Sequence, residues 1–286
     1  MTNDLNVEDN NYSAAAYSSI VFSSPAHMTR EADYDGPARS FAELCGAFKM
    51  VHDNYTELGY MARATSGMRY SVFELLPSAT TFISMQDNRI VGTVSGVPDS
   101  LAGLPLCCAF QDEVEKLRAY GKNLAECTMF ACDTNSSIMS VTYLKMMQWI
   151  LSWACLHDIH NLCIVVHPKH KNFWEKIAGF TVLAEPRCCQ HVMDNPGVLL
   201  TLDVEALLRG TQKPTRLMSK LKSFQINPTA LIEDYRPDEE DIIKLLAAEP
   251  RLLKTINKYH LAILTRFYPF AVQQLLKKDV VWVVGG

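Results

Sequence analysis

Two carboxylates stand where strands would present them for proton chemistry. Glu126 lies inside L-A-E-C-T-M-F-A-C, and Asp99 follows I-V-G-T-V-S-G-V-P. Flanked by Leu124, Ala125 and Cys127, Glu126 is expected to be buried. Burial disfavours the charged form and lifts a carboxyl toward the range where it takes a proton near neutral pH. The competing reading is a Glu satisfied by a neighbouring cation such as Arg118. Asp99 sits in Pro-Asp, which also suits ordinary turn chemistry. Glu113 and Arg118 lie five apart on one short amphipathic stretch and do not share a face closely. His167 and His170 end another apolar run, L-C-I-V-V-H-P-K-H. Two histidines without a third ligand are weak evidence for a metal, and none is expected.

The elements that must position these residues follow from periodicity. Ser40 is an N-cap for a helix whose apolar stripe is Phe41, Leu44, Phe48, Val51, Tyr55 and Leu58. Strands are expected at Tyr70–Leu75, Thr80–Met85 and Ile90–Val97, the last two joined by the polar turn Q-D-N-R. Pro98 to Pro105 is a loop, Phe110, Val114 and Leu117 mark a short helix, and Leu124–Cys132 is the next strand. A long, largely buried helix carries Ile138, Val141, Leu144, Met147, Ile150 and Ala154. Leu162–His167 reads as a strand covered on both faces, followed by a helix at Asn172–Ile177 and strands near Thr181–Ala184 and Val198–Val204. The result is a mixed α/β sheet flanked by helices. Residues 214–278 alternate helical patterns with proline breaks, and the closing D-V-V-W-V-V-G-G is strand-like but has no clear place.

The 286 residues suffice for a sizeable core and one or two domains. Residues 1–38 read as a disordered lead or a strap, 39–210 as the α/β domain, and 211–286 as a mainly helical extension. The net charge of -4 gives no hint of nucleic acid. It divides into -8 over residues 1–204 and +4 over 205–286, so a basic tail follows an acidic body. Nine cysteines without C-x-x-C spacing read as buried, reduced thiols of a cytoplasmic protein. The N-terminus lacks the features of a signal peptide, and no apolar run of about 20 residues suggests a transmembrane helix.

The element order, together with H-P-K-H-K-N-F-W-E-K-I-A-G-F, resembles the GNAT acyltransferase fold. The blocks R-Y-S-V-F-E-L-L, I-V-G-T-V-S, D-S-L-A-G-L-P, E-V-E-K-L-R-A-Y-G-K, A-E-C-T-M-F and V-V-H-P-K-H resemble, in order, those of long-chain N-acyl amino acid synthases. These enzymes are relatives of the acyl-homoserine lactone autoinducer synthases. The likeness covers about residues 63–204. Two departures refine it. Where common GNATs have a glycine-rich loop for the CoA pyrophosphate, this chain has D-T-N-S-S-I-M-S. The resemblance therefore implies acyl-phosphopantetheine on an acyl carrier protein as donor, with acyl-CoA the alternative. Where autoinducer synthases have E-x-S-R-F, this chain has Glu126-Cys127-Thr128-Met129-Phe130, which points away from S-adenosylmethionine and towards an amino acid acceptor.

The implied reaction is attack of an α-amine on an acyl thioester, bacterial in setting. Glu126 is then the candidate acceptor of the amine's proton and Asp99 the candidate holder of the amine. Arg118 is a candidate for the acceptor carboxylate, or one half of a structural ion pair. Thr128, Met129, Phe130, His167 and His170 are candidates for substrate binding. Backbone N–H groups near Met129–Ala131 are candidates for the oxyanion by analogy with GNAT strand splaying. Met129, Phe130, Met146, Met147 and Trp149 are candidates for an acyl tunnel, with plain core packing the competing reading. Arg216, Lys220 and Lys222 would dock the acidic carrier protein, or form a solvated basic face. A CoA-dependent GNAT and a non-catalytic lipid- or partner-binding scaffold are the other two readings. The oligomeric state, the amino acid and the chain length are not encoded legibly.

Overall fold

The computed structural model describes residues 33–133, 136–189, 193–211, 231, 235–253 and 255–277. Its centre is a seven-stranded sheet in the order β1-β2-β3-β4-β5-β7-β6. The strands are β1 (Tyr34–Pro37), β2 (Thr80–Gln86), β3 (Arg89–Pro98), β4 (Leu124–Cys132), β5 (Asn161–Val166), β6 (Thr181–Cys189) and β7 (Asn195–Asp203). Every neighbouring pair is antiparallel except β4 and β5, which run parallel. The β2–β3 hairpin turns through Asp87 and Asn88, both at positive φ, as a tight two-residue turn demands. Tyr34–Pro37, at the end of the segment read as a lead, is an edge strand of this sheet.

Helices cover both faces. On one side lie α1 (Phe41–Glu57) and α2 (Cys107–Ala119); on the other lie α3 (Ser136–Leu156) and α4 (Lys171–Lys176). Strand alternation sorts the core accordingly. Phe82, Val94, Ala125 and Leu162 pack with Met146, Ile150 and Trp153 of α3. Ile83 instead packs with Leu44 and Phe48 of α1, and Val97 and Leu124 with Phe110 and Val114 of α2. Ser40 caps α1 by accepting from the Glu43 N–H at 3.2 Å.

The expected strand at Tyr70–Leu75 is absent. Phe73–Leu75 is a 3₁₀ turn, because the Glu74 carboxyl folds back onto the Ser71 N–H and hydroxyl at 2.7 and 2.6 Å. Such local hydrogen bonds compete with a sheet ladder. After α5 (Val204–Leu208) come α6 (Glu239–Ala248), α7 (Pro250–Leu253), α8 (Lys258–Phe267) and α9 (Pro269–Lys277). These later helices share a core with α1: Ile242, Leu245, Leu246 and Leu252 pack with Leu44, Phe48 and Leu75. Among the described residues no helix is long and apolar enough to cross a membrane.

Candidate active site

The site begins where β4 and β5 part. Their ladder pairs only Leu124–Glu126 with Asn161–Cys163. Beyond it, β4 continues along β3 and β5 along β7. A bulge marks the parting: the β3 register jumps from Thr128 to Ala131, and Met129 is held at φ 53°. A bulge inserts one extra residue and re-aims side chains. Here Thr128 and Met129, consecutive in sequence, both reach one cavity of about 810 Å³. Val165 and Val166 of β5, and His167 just past its end, also line it.

Glu126 lines the cavity and is 5% exposed. Its Oε2 accepts the Leu106 N–H at 2.7 Å, at the start of α2. Burial pushes its carboxyl up to about 8, against the pull of that N–H, and the nearby Glu74 adds to the rise. Among the described residues Glu126 makes no ion pair, so the alternative in which Arg118 neutralises it does not hold. It is a carboxyl tuned to exchange a proton near neutral pH.

Arg118 also lines the cavity, but its guanidinium is spoken for. Nε and the Nη2 nitrogen donate to both oxygens of Asp99 at 2.7 and 2.6 Å, and Nη1 donates to Glu115 at 2.6 Å. Asp99 is not part of the cavity wall; its carboxylate is a partner for Arg118, the ion-pair reading weighed for that arginine. Glu113 pairs with Arg187 instead, at 2.5 Å.

The other sequence candidates divide between the two faces of the sheet. Thr128, Met129 and His167 line the cavity. His167 stacks on Tyr60, with centroids 6.0 Å apart, and accepts the Lys169 N–H. Phe130 does not line it: past the bulge its ring turns to the α3–α4 side, edge-on to Tyr143 and Trp174. Met146, Met147 and Trp149 are buried in that same α3-side core, so the expected tunnel lining is core packing on the far face. His170 is exposed at the end of its 3₁₀ turn and outside the cavity wall. Arg216, Lys220 and Lys222 lie outside the described residues, as do Thr134 and Asn135 before α3. All nine cysteines are free, and Cys108 and Cys188 are exposed rather than buried. No metal cluster occurs among the described residues.

Sequence reasoning missed a second group of cavity residues: Tyr55, Tyr60, Arg69, Glu74 and, from the C-terminal helices, Asn257, Tyr259 and His260. Arg69 immediately precedes, and Glu74 lies in, the Tyr70–Leu75 stretch taken for a strand. The α8 residues carry no local signal of their neighbours.

A mixed seven-stranded sheet with helices on both faces and a bulged strand parting from its parallel neighbour is the GNAT fold. The chain belongs to the N-acyl amino acid synthase FeeM family, whose pattern it matches over residues 46–203. It is similar to the solved structure of FeeM, an N-acyl amino acid synthase from uncultured soil microbes, at 27% identity and a TM-score of 0.56. That match covers 66% of this chain and 97% of FeeM. The acyl-homoserine lactone synthase LasI is a more distant likeness, at 18% identity and a TM-score of 0.46, covering 63% of this chain and 91% of LasI. Among curated protein sequences none matches.

Proposed function

We propose that this acyltransferase moves a long-chain fatty acyl group from acyl carrier protein to the α-amine of an amino acid. The observation that carries the reading is Glu126: a carboxyl raised to about 8, without an ion-pair partner among the described residues, inside the cavity where β4 and β5 part. The family's activity, N-acyl amino acid synthesis, supports the acceptor class. A volume of about 810 Å³ lies within the range of about 300–1,000 Å³ common for small-molecule sites. The apolar wall from Leu104, Leu106, Phe110, Val165 and Met129 suits an alkyl chain. The glycine-free D-T-N-S-S segment supports a carrier-borne phosphopantetheine arm over CoA.

In this reading the acceptor ammonium gives one proton to Glu126. The neutral amine then attacks the thioester carbonyl, forming the C–N bond. Backbone N–H groups around the Met129–Ala131 bulge stabilise the oxyanion. Collapse breaks the C–S bond, and the departing sulfur takes the amine's second proton. The net products are an N-acyl amino acid, the free phosphopantetheine thiol and one proton.

The test is mass spectrometry of lipid extracts from a bacterial host making this chain, beside a Glu126→Gln control. The expected result is new species equal to a fatty acid plus an amino acid less water, absent from the control. Purified protein supplied with dodecanoyl-carrier protein or dodecanoyl-CoA then assigns the donor. No N-acyl amino acid from folded protein with either donor would overturn the reading.

A further inference from the structure

Glu74 carries a buried polar atom that the fold leaves unused. The residue is 4% exposed. Its Oε2 is fixed by the Ser71 N–H and hydroxyl, whereas Oε1 is buried with no hydrogen-bond partner. A desolvated carboxyl oxygen without a donor is destabilising, so native chains seldom keep one without use. Glu74 lines the same cavity as Glu126 and lies near enough to raise its pKa.

A charge of the opposite sign lines the same wall. Arg69 and Glu74 both act on the Tyr55 phenol, the arginine lowering its pKa and the glutamate raising it. The Tyr60 hydroxyl, also in this wall, is buried without a partner. One cavity therefore offers an unused carboxyl oxygen and a guanidinium around a phenol, which matches a zwitterion. Asp99 cannot serve this way while both its oxygens are held by Arg118.

We propose that Glu74 is the acceptor-binding residue: its Oε1 receives an N–H of the amino acid's α-ammonium, with Arg69 on the side of the carboxylate. This deepens the reading of the reaction given above and rests on it. Glu74 holds the nitrogen, Glu126 removes one of its protons, and the Ser71 contacts occupy Oε2 and leave Oε1 for the ammonium. The formation of the C–N bond and the loss of the thiol are unchanged.

The experiment uses the full chain with dodecanoyl-carrier protein as donor and each of the twenty proteinogenic amino acids as acceptor, followed by kinetics on the best acceptor. Glu74→Gln should raise KM for the amino acid about 10- to 100-fold, the worth of one charge-assisted hydrogen bond. KM for the donor should stay within about twofold. Glu74→Asp should recover part of the loss, and it carries the test if the Gln variant does not fold. The rising limb of the pH profile should persist in Glu74→Gln, because Glu126 sets it, and move only slightly to lower pH as the upward push of the Glu74 charge is lost. An unchanged acceptor KM, or equal damage to both KM values, would sink the assignment while leaving the reaction intact. A fall in kcat with loss of the pH limb would make Glu74 a base instead and also overturn it. Wild-type enzyme that forms no N-acyl amino acid would remove the reaction and this role together.

Discussion

The corner after β3 and the cavity beside β4 hold carboxyls of opposite fate. Val97 faces Glu126 across the two strands, and the Asp99 N–H bonds the Leu124 carbonyl at 2.9 Å. Yet Asp99 is gripped at both oxygens by Arg118, while Glu126 has one backbone N–H and, among the described residues, no cation. Beside Asp99 the guanidinium holds its proton more firmly than usual, and the side-chain hydrogen bond is the main cause. Beside Glu126 the loss of water dominates. A paired carboxylate fixes a loop to a helix. An unpaired buried one is poised to change its protonation, which is what amine chemistry needs.

The largest test of this contrast is Glu126→Gln. Loss of a positioned base lowers rates by about 10²–10⁴, so kcat/KM should fall at least 100-fold. In the wild type kcat/KM should rise with pH, pass half its maximum near the folded value of about 8 and level off above it, and the variant should lack that limb. Stability should move the other way. The folded pKa lies above the ordinary 4.5, so on raising pH the unfolded chain ionises first. Stability contributed by this group is full below about pH 4.5 and declines up to about 8, by at most about 1.4 kcal/mol per unit. Glu126→Gln removes that decline, and its thermal melting curve should be flatter across this window. Melting that tracks the wild type at every pH would mean that Glu126 is ionised in the fold.

Next in size is Asp99→Asn. It leaves Arg118 with a neutral partner in a half-buried pair. Exposed ion pairs contribute about 0–1 kcal/mol and bidentate ones more, so a loss of about 1–2 kcal/mol by urea denaturation is expected. Below the melting range kcat/KM should stay within about threefold of wild type. A hundredfold loss of activity at unchanged stability would erase the contrast and return Asp99 to the chemistry.

The sequence carried the sheet better than the wiring of the site. Leu124–Cys132 was read to the residue because a β-favouring apolar run fills it, and the burial of Glu126 followed from its neighbours. Q-D-N-R announced its turn through Asp87 and Asn88. Tyr70–Leu75 misled because Tyr70, Val72 and Phe73 favour strands, while the deciding bonds from Glu74 to Ser71 are side-chain contacts that propensity does not count. The Met129 bulge has no signature, since methionine gains nothing at positive φ; the tertiary fold imposes it. Phe130 and the α3 methionines were apolar enough for a tunnel, but an apolar stripe does not say which layer it faces. Glu74 stood in one of the blocks that carried the family resemblance, yet its role depends on a cavity assembled from α1, β4 and α8.

That dependence sets the smallest and most local test. The family match ends at residue 203, whereas Asn257, Tyr259 and His260 line the cavity. Two hydroxyls stitch these later helices to the turn that bears Glu74. Tyr268 donates to the Leu75 carbonyl at 3.1 Å, and Tyr70 donates to the Leu245 carbonyl at 2.6 Å. Tyr268→Phe removes one such bond and leaves a buried carbonyl unpaired, at a cost of about 0.5–1.5 kcal/mol by urea denaturation. Because Leu75 is the next residue to Glu74, the acceptor KM should rise about two- to threefold while the donor KM holds, a change of under 1 kcal/mol. If both KM values hold, the helices beyond the family match cover the cavity without shaping it. If only the acceptor value moves, the later helices position the Glu74 side of the site, and the division between Glu74 and Glu126 extends beyond the sheet that carries them.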